Sequence, residues 1–160
     1  MTTWLGLDSG LDDPCAVDAV AIQLHDALLY DARVVCTHLV EGHHAMSFRL
    51  SEDPSENTVS TLLERGYGVA VHNGVLQRLA GPEELQRGAL RAALAHRDRL
   101  EGRALRFPGQ RALHGRYGVS DILAFSAIEE VLPHGIKRVD ARGDLQPSFA
   151  NGKLVLTCLD

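Results

Sequence analysis

Four acidic residues stand where the sequence predicts that strands end or helices begin. Asp8 ends the first predicted strand and Asp140 ends a late one, whereas Glu41 and Asp121 lie in the first turns of two predicted helices. Doubly wound parallel sheets bind ligands beyond the carboxyl ends of their strands. We therefore expect the four carboxylates to meet at one edge of such a sheet.

A cluster of carboxylates is suited to a divalent cation. Like charges a few ångströms apart repel strongly, and a cation among them removes that repulsion. Mg²⁺ and Mn²⁺ prefer oxygen ligands, and either ion activates a bound water and stabilises the charge of phosphodiester cleavage. The alternative interpretation is that these acids are ordinary helix caps and strand-end residues.

The histidines around Glu41 do not have the spacing of a zinc motif. His38 is five and six residues from His43 and His44, not the four of His-Glu-x-x-His on a helix. We interpret all three as ordinary, partly exposed histidines.

Length and composition are those of one globular domain spanning residues 1–160. The three cysteines form no Cys-x-x-Cys pair, which favours reduced, mostly buried thiols. The N-terminus has no basic region, and no apolar run reaches the roughly 18–20 residues that cross a bilayer. These features predict a cytoplasmic protein without a membrane partner.

Predicted strands and helices alternate, which favours an α/β fold: a single three-layer domain with a mostly parallel sheet. The best-defined helix begins at Asp13-Pro14, because Asp caps free N–H groups and Pro fits the first helical position. An alternative interpretation makes residues 19–24 and 28–35 a hairpin. Further helices are predicted over 37–46, 59–65, 82–103 and 122–132, and further strands over 33–36, 68–72, 136–140 and 153–158.

The charge is distributed unevenly along the chain. The net charge is −5, yet residues 87–116 contain eight arginines against Asp98 and Glu101, which makes that segment +6. Segment 82–116 is therefore predicted to be a basic, largely helical arm beside an acidic centre, or else a solvated helix face.

The order and spacing of the acids resemble those of the PIN domain, the metal-dependent ribonuclease fold of VapC-type toxins. Leu7-Asp8-Ser9 resembles the end of its first strand, and residues 32–42 (ARVVCTHLVEG), which carry Glu41, are similar to its second strand and helix. Residues 116–130 (RYGVSDILAFSAIEE) carry Asp121, and residues 136–145 (IKRVDARGDL) resemble the closing strand with Asp140.

The resemblance implies a metal-dependent endoribonuclease. Asp8, Glu41, Asp121 and Asp140 would be the catalytic residues and would hold one or two Mg²⁺ or Mn²⁺ ions, with Ser9 hydrogen-bonded to the metal shell. Arg111 and Arg116, in the basic segment, would guide the RNA phosphates. The family also implies an antitoxin partner and a homodimer. Asp8→Asn is expected to abolish cleavage. It should leave the melting temperature equal or higher, because repulsion among the carboxylates would be relieved.

Three alternatives remain open at this stage. Asp144 competes with Asp140 as the fourth ligand, and a chain without that ligand would be a non-catalytic PIN-like binding module. Residues 7–14 (LDSGLDDP) also resemble the Asp-rich loop of nucleoside hydrolases, in which Asp8, Asp12 and Asp13 would act in N-glycoside hydrolysis. Residues 4–10 (WLGLDSG) resemble the first strand of RNase H-like nucleases as well.

Overall fold

The computed structural model describes residues 2–113, 115–141 and 143–158. Its helices are α1 (Pro14–Ala27), α2 (Glu56–Glu64), α3 (Glu83–Arg97) and α4 (Val119–Phe125), with a 3-10 turn over Gln110–Ala112. Its strands are β1 (Thr3–Leu11), β2 (Val34–Val40), β3 (His43–Leu50), β4 (Gly68–His72), β5 (Gln77–Ala80), β6 (Arg103–Arg106), β7 (Gly115–Gly118), β8 (Glu130–Leu132), β9 (Arg138–Ala141), β10 (Ser148–Ala150) and β11 (Lys153–Thr157).

In this part of the chain, nine strands form one sheet in the order β5-β4-β1-β3-β2-β6-β10-β11-β8. All neighbours are antiparallel except β11 and β8, and β7 pairs with β9 in a separate two-stranded sheet. The expectation of a mostly parallel, PIN-like sheet is therefore wrong. Strand β3 lies between β1 and β2, and β1 lies between β3 and β4, which is a split β-α-β arrangement.

A tight turn explains the antiparallel pairing of β2 and β3. Glu41 and Gly42 are the two loop residues, and both have positive φ (47° and 88°), as in a type I′ hairpin. Such a turn joins antiparallel neighbours only. The helix predicted over 37–46 is consequently wrong, because the chain crosses that region as two strands of a hairpin.

Helices cover both faces of the sheet. Alternate strand residues, including Leu5, Leu7 and Phe48, are fully buried against α1 and α2, where Val17 and Leu62 complete the core. The opposite face carries α3 and a second core formed largely by the C-terminal third of the chain. The predicted helix at Asp13-Pro14 is confirmed, since the Asp13 carboxylate accepts the N–H of Cys15 at 2.9 Å.

Helix α3 lies unusually close to the sheet because glycines occupy the contact. A Cβ built on Gly6 of β1 would be 1.9 Å from the carbonyl oxygen of Ala89, and the next two alanines of α3 on this face, Ala92 and Ala93, are fully buried.

The C-terminal elements also differ from the sequence prediction. The helix predicted over 122–132 is the shorter α4 followed by β8.

The basic segment 82–116 is helical only in its first half. Helix α3 ends at Arg97, and β6, the 3-10 turn and the start of β7 follow it. Its arginines therefore project from several elements and not from one arm. Among the described residues, no helix has the length and apolar character needed to span a membrane.

Candidate functional site

Asp8 is a fully buried carboxylate with two hydrogen-bond partners. Its Oδ2 lies 2.6 Å from Nε2 of His43, and its Oδ1 accepts the N–H of Gly10 at 2.8 Å. The register of β1 against β3 shifts between Leu7 and Leu11, and this irregularity leaves the Gly10 N–H directed back to Asp8. The site around Asp8 is thus an acid–histidine pair packed under α3.

Glu41 stands at the tip of the β2–β3 turn and faces arginines of α3. Its Oε1 lies 3.4 Å from Arg87 and 3.5 Å from Arg91, and all three side chains are more than one-third exposed. Exposed pairs of this kind contribute little to stability. Asp8 and Glu41 therefore approach the same helix, but each is engaged by a basic side chain.

The other predicted acids lie in the C-terminal region. Asp121 is in the first turn of α4, and Asp140 is on β9 directly opposite Arg116 of β7. Asp144 lies 3.5 Å from Arg106. Within residues 2–113, 115–141 and 143–158, the structure places no group of three or more acidic, histidine or cysteine side chains where they could hold a metal ion.

The predicted metal-shell residue Ser9 and the Asp12 and Asp13 of the nucleoside-hydrolase alternative are near the surface at the end of β1. Ser9, Asp12 and Asp13 are exposed, and Asp13 is the cap of α1. Asp121 and Asp140 do not join Asp8 and Glu41, because Asp121 lies in α4 and Asp140 lies on β9, which pairs with β7 in the separate two-stranded sheet.

A different site is formed by basic side chains on the α3 face of the sheet. A cavity of about 360 Å³ opens between the strands, the end of α3 and the C-terminal region. Four arginines, one histidine and two aromatic rings are prominent in its lining: Arg33, Arg49, Arg97, Arg99, His96, Trp4 and Phe149. We call it the arginine cavity.

Two of these arginines have acidic partners and two do not. Arg97 pairs with Asp98 at 2.8 Å, and Arg99 pairs with Glu129. The exposed guanidinium groups of Arg33 and Arg49 have no hydrogen-bond or ion-pair partner among the described residues. No carboxylate is part of the described lining, so the cavity has a net positive character.

His96 is a neutral, buried wall of the arginine cavity. Its Nδ1 lies 2.8 Å from the hydroxyl of Ser47, whereas its Nε2 is buried and has no hydrogen-bond partner in the described part of the chain. Burial, followed by Coulombic interactions with His38, Arg49 and Arg99, holds the pKa of His96 well below its usual range. An imidazole in this position accepts or donates hydrogen bonds without carrying charge.

Hydrogen bonds continue from Ser47 to His38 and Glu101. The Ser47 hydroxyl lies 2.6 Å from Nε2 of His38, whose Nδ1 lies 2.9 Å from the half-exposed carboxylate of Glu101. His38 and Glu101 line a separate cavity of about 310 Å³. A chain of four side chains, which we call the relay (Glu101, His38, Ser47, His96), thus connects two cavities.

The relay contains a serine, a histidine and an acid, as hydrolytic triads do, but Ser47 is not placed as a nucleophile. It is fully buried, and both histidines contact its single hydroxyl. A triad serine must reach the substrate carbonyl. Cys36 lies opposite Ser47 in the β2–β3 register, and burial, with the charge of Glu101, raises the pKa of its thiol, so it too is not an activated nucleophile.

A third cavity, of about 540 Å³, adjoins the arginine cavity. Arg33 and Pro108 line both of them. Arg106 and Arg111 add two cations there, and the ring of Tyr30 is 76 % exposed at its rim. Arg111, which the sequence analysis assigned to RNA phosphates, therefore belongs to a basic surface.

No motif or spacing in the sequence indicates the arginine cavity. Arg33 and Arg49 lie outside the basic segment and are sixteen residues apart, and only the β2–β3 pairing, with Val34 opposite Arg49, brings them together. The isolated arginines at the start of β2 and near the end of β3 carried no recognisable spacing. The chain matches no family model, no curated protein and no solved structure to which it was compared.

Proposed function

We propose that this protein binds a small phosphate monoester in the arginine cavity. The observation that carries the proposal is the pair of exposed arginines, Arg33 and Arg49, which lie at neighbouring positions without an acidic partner among the described residues. A guanidinium group binds phosphate oxygens through two parallel hydrogen bonds, so an unpaired pair of arginines matches a doubly charged phosphate.

The rest of the lining defines the organic part of the ligand. The cavity volume of about 360 Å³ is within the range of small-molecule sites. Trp4 and Phe149 offer aromatic walls, and Arg99 already lies 5.3 Å from the centre of the Phe149 ring. These features favour a phosphate ester that carries a planar, ring-sized group over inorganic phosphate.

Calorimetric titration with phenyl phosphate tests this proposal. We expect binding to the wild-type protein that weakens with added salt, because the contact is between charges near the surface. Arg33→Gln/Arg49→Gln should bind at least about tenfold more weakly, since each charged hydrogen bond contributes roughly 1.5–3 kcal/mol.

The matched control is Arg65→Gln/Arg138→Gln, which also removes two positive charges, but from exposed positions outside the cavity. Binding should survive in this variant. If the wild-type protein does not bind phenyl phosphate, or if both double variants lose binding equally, the proposal is wrong.

RNA is a second candidate ligand, and the adjoining cavities are the observation that favours it. Six arginines line the two cavities, and Tyr30 adds an exposed aromatic ring. An exposed ring beside a basic groove is typical of surfaces that bind single strands. Fluorescence anisotropy with a labelled single-stranded RNA tests this candidate. Binding that requires Arg106 and Arg111 as well as Arg33 would favour RNA over a small ester.

Ribonuclease activity, its Mg²⁺ or Mn²⁺ cofactor, the antitoxin partner and the homodimer remain predictions from the resemblance. A Mn²⁺ titration of the wild type and of Asp8→Asn/Asp121→Asn tests the metal prediction directly. Binding that disappears in the double variant would restore the nuclease hypothesis, and no binding to the wild type would remove its chemical basis.

A further inference from the structure

The two ring nitrogens of His43 are in different environments. Nε2 lies 2.6 Å from Oδ2 of the fully buried Asp8, whereas Nδ1 has no hydrogen-bond partner in the described part of the chain and is not buried. Helix α3 covers the Nε2 side, since a Cβ on Gly88 would lie 3.3 Å from Nε2. The His43 side chain is 21 % exposed, so Nδ1 is the ring nitrogen that a reagent in solution can reach.

The Asp8 carboxylate determines which nitrogen of His43 carries a proton. A carboxylic acid is a stronger acid than an imidazolium ion, so the proton between the two groups belongs to the ring. Nε2 therefore donates to Oδ2 whether the ring is neutral or charged, because an ionised carboxylate only accepts hydrogen bonds. In the neutral ring the lone pair is on the accessible Nδ1, which makes His43 an oriented nucleophile.

Two arginines of α3 lie at the same end of the β2–β3 hairpin as His43. Arg87 and Arg91 flank Gly88 in the helix, and both lie within 3.5 Å of the Glu41 carboxylate at the tip of the hairpin. Both arginine side chains are more than half exposed, so this end of the hairpin is an open surface. A phosphoryl group carries nearly two negative charges and binds guanidinium groups strongly, so it is suited to replace Glu41 between the arginines.

We propose that His43 is a phosphoryl-acceptor site, whose Nδ1 takes a phosphoryl group from donors of the phosphoramidate class. The Nδ1 lone pair attacks the phosphorus of a phosphoramidate protonated at nitrogen, the N–P bond of the donor breaks, and the neutral amine leaves. The ring keeps its Nε2 proton and becomes a cation, which the buried Asp8 carboxylate stabilises as the aspartate of a hydrolytic triad does. Asp8 is thus a positioning residue, and Arg87 and Arg91 bind the phosphoryl oxygens. None of these residues lines the arginine cavity, so the inference is independent of the proposed function.

Reaction of the wild-type protein with potassium phosphoramidate tests the proposal. Phosphorus spectra follow the formation of N–P bonds with time, and long-range ¹⁵N–¹H correlation spectra identify the nitrogen that carries phosphorus. His134 is the internal control, because its side chain is 81 % exposed and has a carboxylate neighbour that is not fully buried. We expect phosphorylation of His43 at Nδ1 at least about tenfold faster than phosphorylation of His134, the factor for one charge-assisted hydrogen bond that strengthens during the reaction. The signal assigned to His43 should be absent from His43→Gln.

Variants separate the roles of the neighbouring side chains. Asp8→Asn should slow the reaction of His43 at least about tenfold, because an amide can donate to Nε2 and so favours the ring with its proton on Nδ1. Arg87→Gln/Arg91→Gln should slow it about fivefold, since two contacts to the phosphoryl oxygens are lost. Glu41→Gln should accelerate it, because it removes the carboxylate that competes for both arginines. His134 should react at the wild-type rate in every variant.

Three results in the wild type would overturn the proposal: no phosphorylation of His43, phosphorylation at its Nε2, or a rate no higher than that of His134. An unchanged rate in Asp8→Asn would contradict the positioning role of Asp8. Because that substitution is expected to lower stability, its rate is measured below its melting transition. Glu41→Gln replaces an exposed side chain and so tests the arginine contact without disturbing the core. A lower rate in this variant would contradict the assignment of Arg87 and Arg91.

Discussion

Nε2 of His43 lies 2.6 Å from Oδ2 of Asp8, a carboxylate with no solvent exposure. The residue that the sequence analysis placed at the centre of a metal site is therefore the buried partner of a histidine. Its second oxygen accepts the backbone N–H of Gly10, so both oxygens are occupied by donors of this chain.

Asp8→Asn is expected to lower the stability of the protein. An amide presents one acceptor where the carboxylate presents two, and it weakens a hydrogen bond that is buried at Asp8. The loss should be about 1–3 kcal/mol, or several degrees in melting temperature for a domain of this size. Thermal and urea unfolding measure it, and a double-mutant cycle with His43→Gln isolates the pair. An unchanged or higher melting temperature would instead support the carboxylate cluster of the nuclease hypothesis.

Gly88→Ala is expected to destabilise the protein although alanine is the better helix former by about 1 kcal/mol. A Cβ at position 88 would lie 1.9 Å from Oδ2 of Asp8, so the helix or the carboxylate must move. Urea unfolding should show a net loss of stability. The control is the same substitution in an Asp8→Ala background, where the nearest remaining atom is Nε2 of His43 at 3.3 Å and the penalty should be much smaller. Equal penalties in both backgrounds would contradict this packing.

Glu41→Asn is expected to leave the melting temperature equal to or higher than that of the wild type. The left-handed backbone at position 41 is unfavourable for Glu by about 1 kcal/mol, and Asn tolerates it well. The lost pairs with Arg87 and Arg91 are exposed and contribute about 0–1 kcal/mol. Glu41→Gln is the matched control, because it removes the charge and keeps the backbone strain. Destabilisation by Asn but not by Gln would contradict the turn argument.

The stability of the protein should decrease as the pH falls below about 6.5, in part because of His96. The folded state holds the pKa of His96 well below its ordinary value, so the unfolded state binds a proton that the folded state does not. The contribution is present above the unfolded pKa and is lost at up to about 1.4 kcal/mol per pH unit below it, down to the folded pKa. Urea unfolding between about pH 7.5 and about pH 5 should show a steeper loss for the wild type than for His96→Phe. Parallel curves for the two proteins would show that His96 is not the group responsible.

Local signals in the sequence were sufficient for several elements. Asp13-Pro14 determined the start of α1, because a side-chain cap and a proline act within one turn of the chain. Short apolar runs next to glycine-containing turns likewise predicted β1 and β4, whose side chains are largely buried on both faces. The Glu41-Gly42 turn could have been predicted, since glycine after a run that contains β-branched residues is a hairpin signal. A helix was predicted there instead, with Glu41 in its first turns.

The pairing of distant strands was decided by tertiary structure alone. Trp4 faces Arg49 only because β3 inserts between β1 and β2, and both side chains line the arginine cavity. The relay likewise joins residues from β2, β3, α3 and the loop after α3. A periodic pattern records which face of an element is buried, but not which other element covers it, because many pairings bury the same apolar area. The sequence by itself therefore indicated the positions of the four helices and of five of the eleven strands in the described part of the chain. Packing decided that basic side chains, and not the predicted acids, share a cavity.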